Sequence, residues 1–406
     1  MALASSESNS NPCGGDSDNS GAGPIHFVVE QPSLAKYRLP VFRELAHRPG
    51  IDLALLYGDA PGIPNVEPHG FEGHFVPMWH RKFAGQIIRW HRAQWQAAGR
   101  KDADVLLFSW NVRYLSLIPS LMRARWNGKP VILWGHGYSK REHGVRRIVR
   151  ETVTRLATAV LLYDRVTAER LIESGMHRQR VFVAANAIDQ TPIAEARHAW
   201  LADPQRLRQF QDDHGLQDRQ VLLFVSRFDP LNRVDLLIEA AAQLRARFPR
   251  LVTILIGSGG DEEARLWELV NQHQMADQVR FVGGMYDEMS LAPWFLSADA
   301  FVYPANIGLS ILHAFGYGVP VVTCDAVERQ NPEIVALAHE TNGLLYKDGS
   351  VSDLASAIGR LLEDGELRDR MSAAALKTAQ EEFTVPRMVD GFVAAVEYCQ
   401  SQRKRK

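Results

Sequence analysis

The 406-residue chain is 46% hydrophobic and 23% charged, ordinary proportions for a globular protein and enough apolar material for two separate cores. Its 46 Lys and Arg against 47 Asp and Glu leave a formal net charge of -1, so no global bias points to nucleic acid as the main partner. Three scattered cysteines (Cys13, Cys324 and Cys399) give neither a disulfide framework nor a metal-ligand spacing, which makes a reducing compartment the simplest reading and Cys324, behind an apolar run, a small buried residue.

Residues 1–23 are rich in Ser, Asn, Gly and Asp and lack the basic start and apolar core of a signal peptide; they read as a disordered tail. No run approaches the ~20 apolar residues that span a bilayer. The expectation is a cytoplasmic protein, at most peripheral on the inner face of a membrane.

Ordered sequence starts with an apolar strand at Ile25–Val29, then a helix over Pro40–His47 and a strand over Ile51–Tyr57. The basic, tryptophan-rich stretch Trp79–Lys101 reads either as a segment resting on an anionic bilayer near a lipid-linked acceptor or as a core-facing helix with a solvated basic face. Strands follow at Val105–Ser109, Pro130–Trp134, Ala159–Tyr163 and Val181–Val183, with a helix over Leu115–Arg125. A polar helix around Ala194–His214 separates these from a second series: strand Gln220–Ser226, helix Asp235–Ala246, strand Leu251–Gly257, helix Asp261–Gln274, strands Val279–Val282 and Ala300–Tyr303, helix Leu309–Gly316, strands Val319–Thr323 and Gly343–Tyr346. Continuous apolar strands alternating with helices predict parallel sheets covered on both faces. The fold class is therefore α/β, two tandem Rossmann-like doubly wound domains facing a cleft. The divisions are 24–200 and 201–385, drawn where the sequence turns polar between Asp189 and Asp218, followed by 386–406, a C-terminal helix and basic tail. The helix has apolar positions at helical spacing and either caps the second domain or crosses back onto the first.

Ligands of open parallel sheets bind beyond the carboxyl ends of the strands, and four such loops carry suggestive residues. Ser226–Arg233 holds Arg227 and Arg233, either a phosphate clamp beside a helix N-terminus or two solvated arginines. Gly257–Gly260 turns tightly into a helix, and Gly257 and Gly259 would let backbone approach a ligand; such a turn often has none. Pro304–Ser310 includes Asn306, Gly308, Leu309 and Ser310, whose backbone N–H groups suit an anion, with His313 one turn into the helix as structural or catalytic imidazole. Gly135-His136-Gly137 exposes His136 as proton donor, hydroxyl ligand or packing residue.

Val221–Ala240 (VLLFVSRFDPLNRVDLLIEA), Phe281-Val282-Gly283-Gly284, Ala298–Pro304, Gly318–Val322, Pro332-Glu333-Ile334 and Asn342–Leu345 together resemble the retaining nucleotide-sugar glycosyltransferases of the GT-B fold, family four (group 1). The likeness covers nearly the whole second domain; in the first it rests on Val183–Asp189 and the His-Gly turn. Asn306–Ala314 resembles a sub-branch with His in place of the second motif glutamate. The resemblance implies a UDP- or GDP-sugar bound by the second domain and a glycan or lipid-linked acceptor bound by the first, in cell-surface polysaccharide or glycoconjugate biosynthesis. The family's phosphate-clamping arginine falls on Arg227. Its partner lysine falls on Asn232, leaving the neighbouring Arg233 as substitute. Its two glutamates fall on Ala305 and His313; His313 then takes the ribose hydroxyls, Gly283 lies by the nucleotide, and Glu333 supplies the missing carboxylate. The glycine-rich loop common after the family's first strand is replaced by Gln31–Arg38. Retention follows from the resemblance. No carboxylate nucleophile stands out, so front-face attack is expected, and no acidic cluster suggests a metal. No cofactor is expected beyond the nucleotide-sugar itself, nor any nucleic acid partner. A sugar-nucleotide-binding protein with weak turnover and a sugar-nucleotide epimerase remain open. A pyridoxal phosphorylase would need a Schiff-base lysine in the second domain, and neither Lys347 nor Lys377 lies on a strand end near the cleft.

Overall fold

The computed structural model describes residues 23–83, 86–137 and 152–404. Most of the tail read as disordered lies outside the described residues, as do the last two basic residues of the chain.

The first domain contains β1 (Ile25–Gln31), α1 (Leu39–Ala46), β2 (Ile51–Tyr57), β3 (Glu72–Phe75), β4 (Trp79–Phe83), β5 (Gln86–Trp90), α2 (Arg92–Gly99), β6 (Val105–Ser109), α3 (Leu117–Trp126), β7 (Val131–Gly135), β8 (Ala159–Leu162), α4 (Arg165–Glu173) and β9 (Val181–Val183). Seven described strands form one parallel sheet in the order β3-β2-β1-β6-β7-β8-β9. Its central strands are buried along their length because both faces are covered: Phe27, Val29, Leu55 and Trp134 enter one core, Val28, Leu106, Phe108 and Leu133 the other.

The second domain contains α5 (Thr191–Leu201), α6 (Pro204–Asp213), β10 (Gln220–Val225), α7 (Val234–Leu244), β11 (Leu251–Ile256), α8 (Asp261–Gln272), β12 (Val279–Gly283), α9 (Glu288–Leu296), β13 (Ala300–Val302), α10 (Ser310–Gly316), β14 (Val321–Cys324), β15 (Gly343–Tyr346), α11 (Val351–Glu363) and α12 (Gly365–Lys377). Its sheet is parallel, six described strands in the order β12-β11-β10-β13-β14-β15. Cys324 and Cys399 are free and buried.

Four expectations change. The stretch Trp79–Lys101 is not a helix: β4 and β5 pair antiparallel with Trp79 opposite Trp90 and Lys82 opposite Ile87, and only Arg92–Gly99 is helical. Alternation then puts Trp79, Arg81, Ile88 and Trp90 on one face and His80, Lys82, Ile87 and Arg89 on the other. The polar helix expected over 194–214 is two helices, because Asp203 caps a new one by accepting from Arg206 N at 3.0 Å and Pro204 occupies its first turn. Ile193, Ala196 and Trp200 of α5 belong to the second-domain core, so the passage between domains lies ahead of residue 191 rather than at 200. Arg403 is no free tail residue, since it pairs with Asp104. Among the described residues no helix is long and apolar enough to cross a membrane.

The last helix, α13 (Val385–Lys404), leaves the second domain and packs on the first sheet. Met388, Val389, Phe392, Ala395, Val396 and Cys399 are buried there, and the Phe392 ring meets Trp134 edge-on at 4.8 Å. Gly391 permits this approach: a Cβ at that position would lie 2.2 Å from the Val183 carbonyl oxygen. At its start, Arg48 reaches the Pro386 carbonyl at 3.0 Å and the Asp390 carboxylate at 2.9 Å.

Candidate active site

In each sheet the strand order reverses once at the centre, between β1 and β6 and between β10 and β13. Crevices open beyond the carboxyl ends of strands at such reversals. The loops that border them are those after β1 and β6 in the first domain and after β10 and β13 in the second.

The two second-domain loops are held side by side by amides. Asn232, 4% exposed, donates to the Arg227 carbonyl at 2.9 Å and accepts from Asn306 Nδ2 at 3.1 Å; its own carbonyl accepts from Ala305 N at 3.2 Å. Asn331 Nδ2 donates to the Asn306 carbonyl at 2.9 Å. Asn306 has φ 59, the left-handed region that Asn tolerates better than most residues. Asn232, at the position where the family resemblance expects a lysine, thus works as a neutral tie between loops. A buried ammonium could not replace it without an anion beside it.

This scaffold leaves two kinds of group unspent. Arg227 is exposed and has no side-chain partner among the described residues. The N–H groups of Gly308, Leu309 and Ser310 likewise have no acceptor there, Ile307 N being satisfied by Gln330 Oε1 at 2.7 Å. Consecutive free N–H groups beside an arginine form a concave donor surface suited to an anion. The helix that follows, α10, has only seven residues, so the donors rather than a helix dipole matter.

Several expected ligand groups are already committed. Arg233 caps α7 in a left-handed conformation (φ 53) and its guanidinium is spread on Asp235, at 3.0–3.2 Å, two residues along. It therefore does not stand in as a free second clamp. Gly257 and Gly259 are required by chain crossing: a Cβ on Gly257 would sit 1.9 Å from Ser226 O, and one on Gly259 2.4 Å from Phe228 O. Gly283 is different, with positive φ (89) and open space where a Cβ would go. His313 Nε2 lies 2.9 Å from Glu288 Oε2, which also accepts from Tyr317 at 2.8 Å. Burial alone would raise the Glu288 carboxyl, but the bonds from His313 and Tyr317 outweigh it and hold it below its ordinary value. A carboxylate that the motif lacks in sequence is thus present beside His313 in space. Glu333 is 5% exposed and takes a 2.6 Å hydrogen bond from Asn186 of the segment joining the domains; burial pushes its carboxyl up. It braces the two domains instead of offering an open carboxylate.

The first-domain reversal opens a cavity of about 430 Å³. Its walls are Gln31–Ser33, Tyr37 and Arg38 after β1, Ser109–Arg113 after β6, Trp134–Gly137 after β7, and Tyr163. His136 stands exposed at this cavity with its ring 4.8 Å from that of Tyr163. Beneath the floor lies a fully buried pair, His91 Nε2 at 2.9 Å from Glu30 Oε1. Glu30 also accepts from Ser109 N at 2.8 Å and Gln94 Nε2 at 3.1 Å, so the pair fixes the start of the loop after β6. Burial would lower the His91 imidazole, yet the Glu30 carboxylate overrides it and raises it above its ordinary value. Arg38, Trp110, Asn111, Arg113, Tyr163 and Glu288 were not singled out from sequence. The reversal rule would have found the first four, had the strand order been known. Among the described residues no three His, Cys, Asp or Glu side chains gather as a metal site.

Residues 206–378 match the family model of glycosyl transferases group 1, and residues 41–191 that of glycosyltransferase family 4. A D-inositol 3-phosphate glycosyltransferase 2 of Catenulispora acidiphila is 36% identical over 157 residues, covering 36% of this chain and 36% of that protein. An alpha-D-kanosaminyltransferase of Streptomyces kanamyceticus is 29% identical over 277 residues, covering 66% of this chain and 64% of its own length. The match thus spans less than two thirds of either relative. Among solved structures, Anabaena Alr3699/HepE in complex with UDP superposes with a TM-score of 0.70 at 16% identity, over 92% of this chain and 99% of that one. With one family model lying on each of its two doubly wound domains, the chain belongs to the group 1 glycosyltransferases of the GT-B fold.

Proposed function

We propose that this protein transfers a sugar from a UDP- or GDP-sugar to a hydroxyl of an acceptor seated in the first-domain cavity, in the cytoplasm, without a metal and with retention of configuration. The observation that carries the reading is the pairing of free Arg227 with the unspent N–H groups of Gly308, Leu309 and Ser310 at the second-domain reversal. Charge develops on the departing diphosphate in the transition state, and preorganised donors at that point lower the barrier. The Glu288–His313 pair meets the ribose hydroxyls, with the carboxylate as acceptor. His136, across the cleft, orients the acceptor hydroxyl near the sugar. Glu288 and Glu333 are engaged by His313 and Asn186 rather than poised as nucleophiles, which favours attack from the face that the diphosphate leaves. HepE was solved with UDP, and the first relative is named for an inositol phosphate; both agree with a nucleotide-sugar donor and a polyol acceptor. A role in surface polysaccharide or glycoconjugate assembly is part of the same proposal.

A second reading has its own observation. Arg233 is bound to Asp235, which leaves Arg227 as the only free cation among the described residues of that loop, so a protein that holds sugar nucleotides with weak turnover is also consistent. Purified protein incubated with a panel of UDP- and GDP-sugars separates the two, with released nucleoside diphosphate and melting temperature both measured. We expect slow release with one donor. Stabilisation without release, even with added sugar and lipid acceptors, replaces the transferase reading with the binding one. Neither effect across the panel overturns the nucleotide-sugar assignment.

A further inference from the structure

We propose that the first-domain cavity selects an acceptor whose polyhydroxylated ring carries an anionic oxygen group, and that Arg38 receives that group. The inference rests on the assignment of this domain to the acceptor. Arg38 lines the cavity yet is only 6% exposed. An arginine keeps its charge at any physiological pH, and a buried charge without an anion is costly. Among the described residues no carboxylate comes within ion-pair distance of it. What surrounds it is soft and neutral: Cζ lies 4.6 Å from the ring centre of Trp134 and 5.6 Å from that of Tyr163, and Nη1 meets the Met388 sulfur at 3.9 Å. Such faces, with a hydrogen bond from Arg38 to the Tyr163 hydroxyl, offset part of the desolvation but bring no anion to the guanidinium.

The nearby acidic groups are both engaged elsewhere. Glu30, under the floor, is fully buried and bound to His91. Glu333 feels the charge of Arg38 from beyond contact and is held by Asn186. No acidic side chain belongs to the described cavity wall, whereas Arg38, Arg113 and His136 all do. Arg38 and Arg113 thus give the described wall two fixed positive charges. Trp110 and Tyr163 add aromatic faces suited to the C–H face of a sugar or cyclitol ring. A ring with a phosphate or a carboxylate satisfies both features, and the bidentate fork of arginine fits either group.

Isothermal titration of the full chain, saturated with UDP or GDP according to the donor found, tests this with glucose, glucose 6-phosphate, glucuronate and inorganic phosphate. We expect at least one charged ring to bind about tenfold or more tightly than glucose. Preference for glucose 6-phosphate over glucuronate assigns the group as phosphate, and the reverse assigns it as carboxylate. Arg38→Gln should abolish the preference and Arg38→Lys retain part of it, with nucleotide affinity unchanged in both. Equal binding of charged and neutral rings by the wild-type protein overturns the proposal, even if Arg38→Gln does not fold. So does inorganic phosphate binding as tightly as the charged ring, or a loss of UDP or GDP affinity in Arg38→Lys, which would place Arg38 on the donor side. Because donor turnover is read separately by nucleotide release, failure here leaves the transferase assignment standing.

Discussion

The two crevices of this molecule sit at equivalent points of two similar sheets and are built from different materials. The second-domain site is mostly main chain: glycines at chain crossings, an amide ladder through Asn232, Asn306 and Asn331, a row of free N–H groups and one exposed arginine. The first-domain site is mostly side chain, with aromatic walls, a buried cation and an ion pair under the floor. Backbone donors suit a ligand part that never changes, such as a diphosphate. Side chains can be exchanged one at a time, which suits an acceptor that differs between related enzymes.

The comparison breaks first at Gly257. Its replacement by Ala forces a Cβ to 1.9 Å from a backbone oxygen that cannot swing aside. A loss of about 3 kcal/mol of stability is expected, seen as a lowered melting temperature of the second domain. An unchanged melt would mean that the loops are not locked by their crossing. Next comes Arg227→Ala, expected to cut kcat by about 100-fold while leaving the melt unmoved, since its side chain is exposed and holds nothing in the fold. Arg233→Ala should cost far less activity, because its guanidinium is bound to Asp235. Equal losses would show that Arg233 lets go of Asp235 when the donor binds.

The smallest effect is a pH dependence confined to the first domain. A raised His91 means that the folded state holds the proton more tightly than the unfolded chain. That stabilisation is full below the unfolded value of about 6.5 and is lost as pH rises through the folded one. Denaturation of the wild-type protein should therefore show stability falling across that window, and His91→Gln should flatten the slope. A slope unchanged in His91→Gln would assign it to other groups.

Much of the fold was legible because buried parallel strands leave unbroken apolar runs, as Val105–Phe108 and Val221–Phe224 do. The strand pair over 79–90 was not, since alternating aromatic and basic residues fit several structures when neither face is wholly buried. The loops of the second site were legible from arginines and glycines standing just after strands. Which of these were free was not. His313 meets Glu288 from 25 residues away, and Glu333 meets Asn186 from 147. Only the Arg233–Asp235 pair was close enough in sequence to suspect. Arg38 carried no sequence signal, because its meaning lies in an absent counter-charge.

The C-terminal helix sets an order of events on the ribosome. Phe392 against Trp134 completes the core that β1, β2 and β7 begin, so the first domain to be synthesised lacks part of its interior until α13 has emerged. The fully buried core of the second domain ends at Ala379, upstream of α13, so that domain can consolidate without the helix. Synthesis then runs from first to second, and final consolidation runs from second to first. A nascent chain stalled just short of α13 should expose apolar surface on the face that α13 covers, which is where a chaperone would bind.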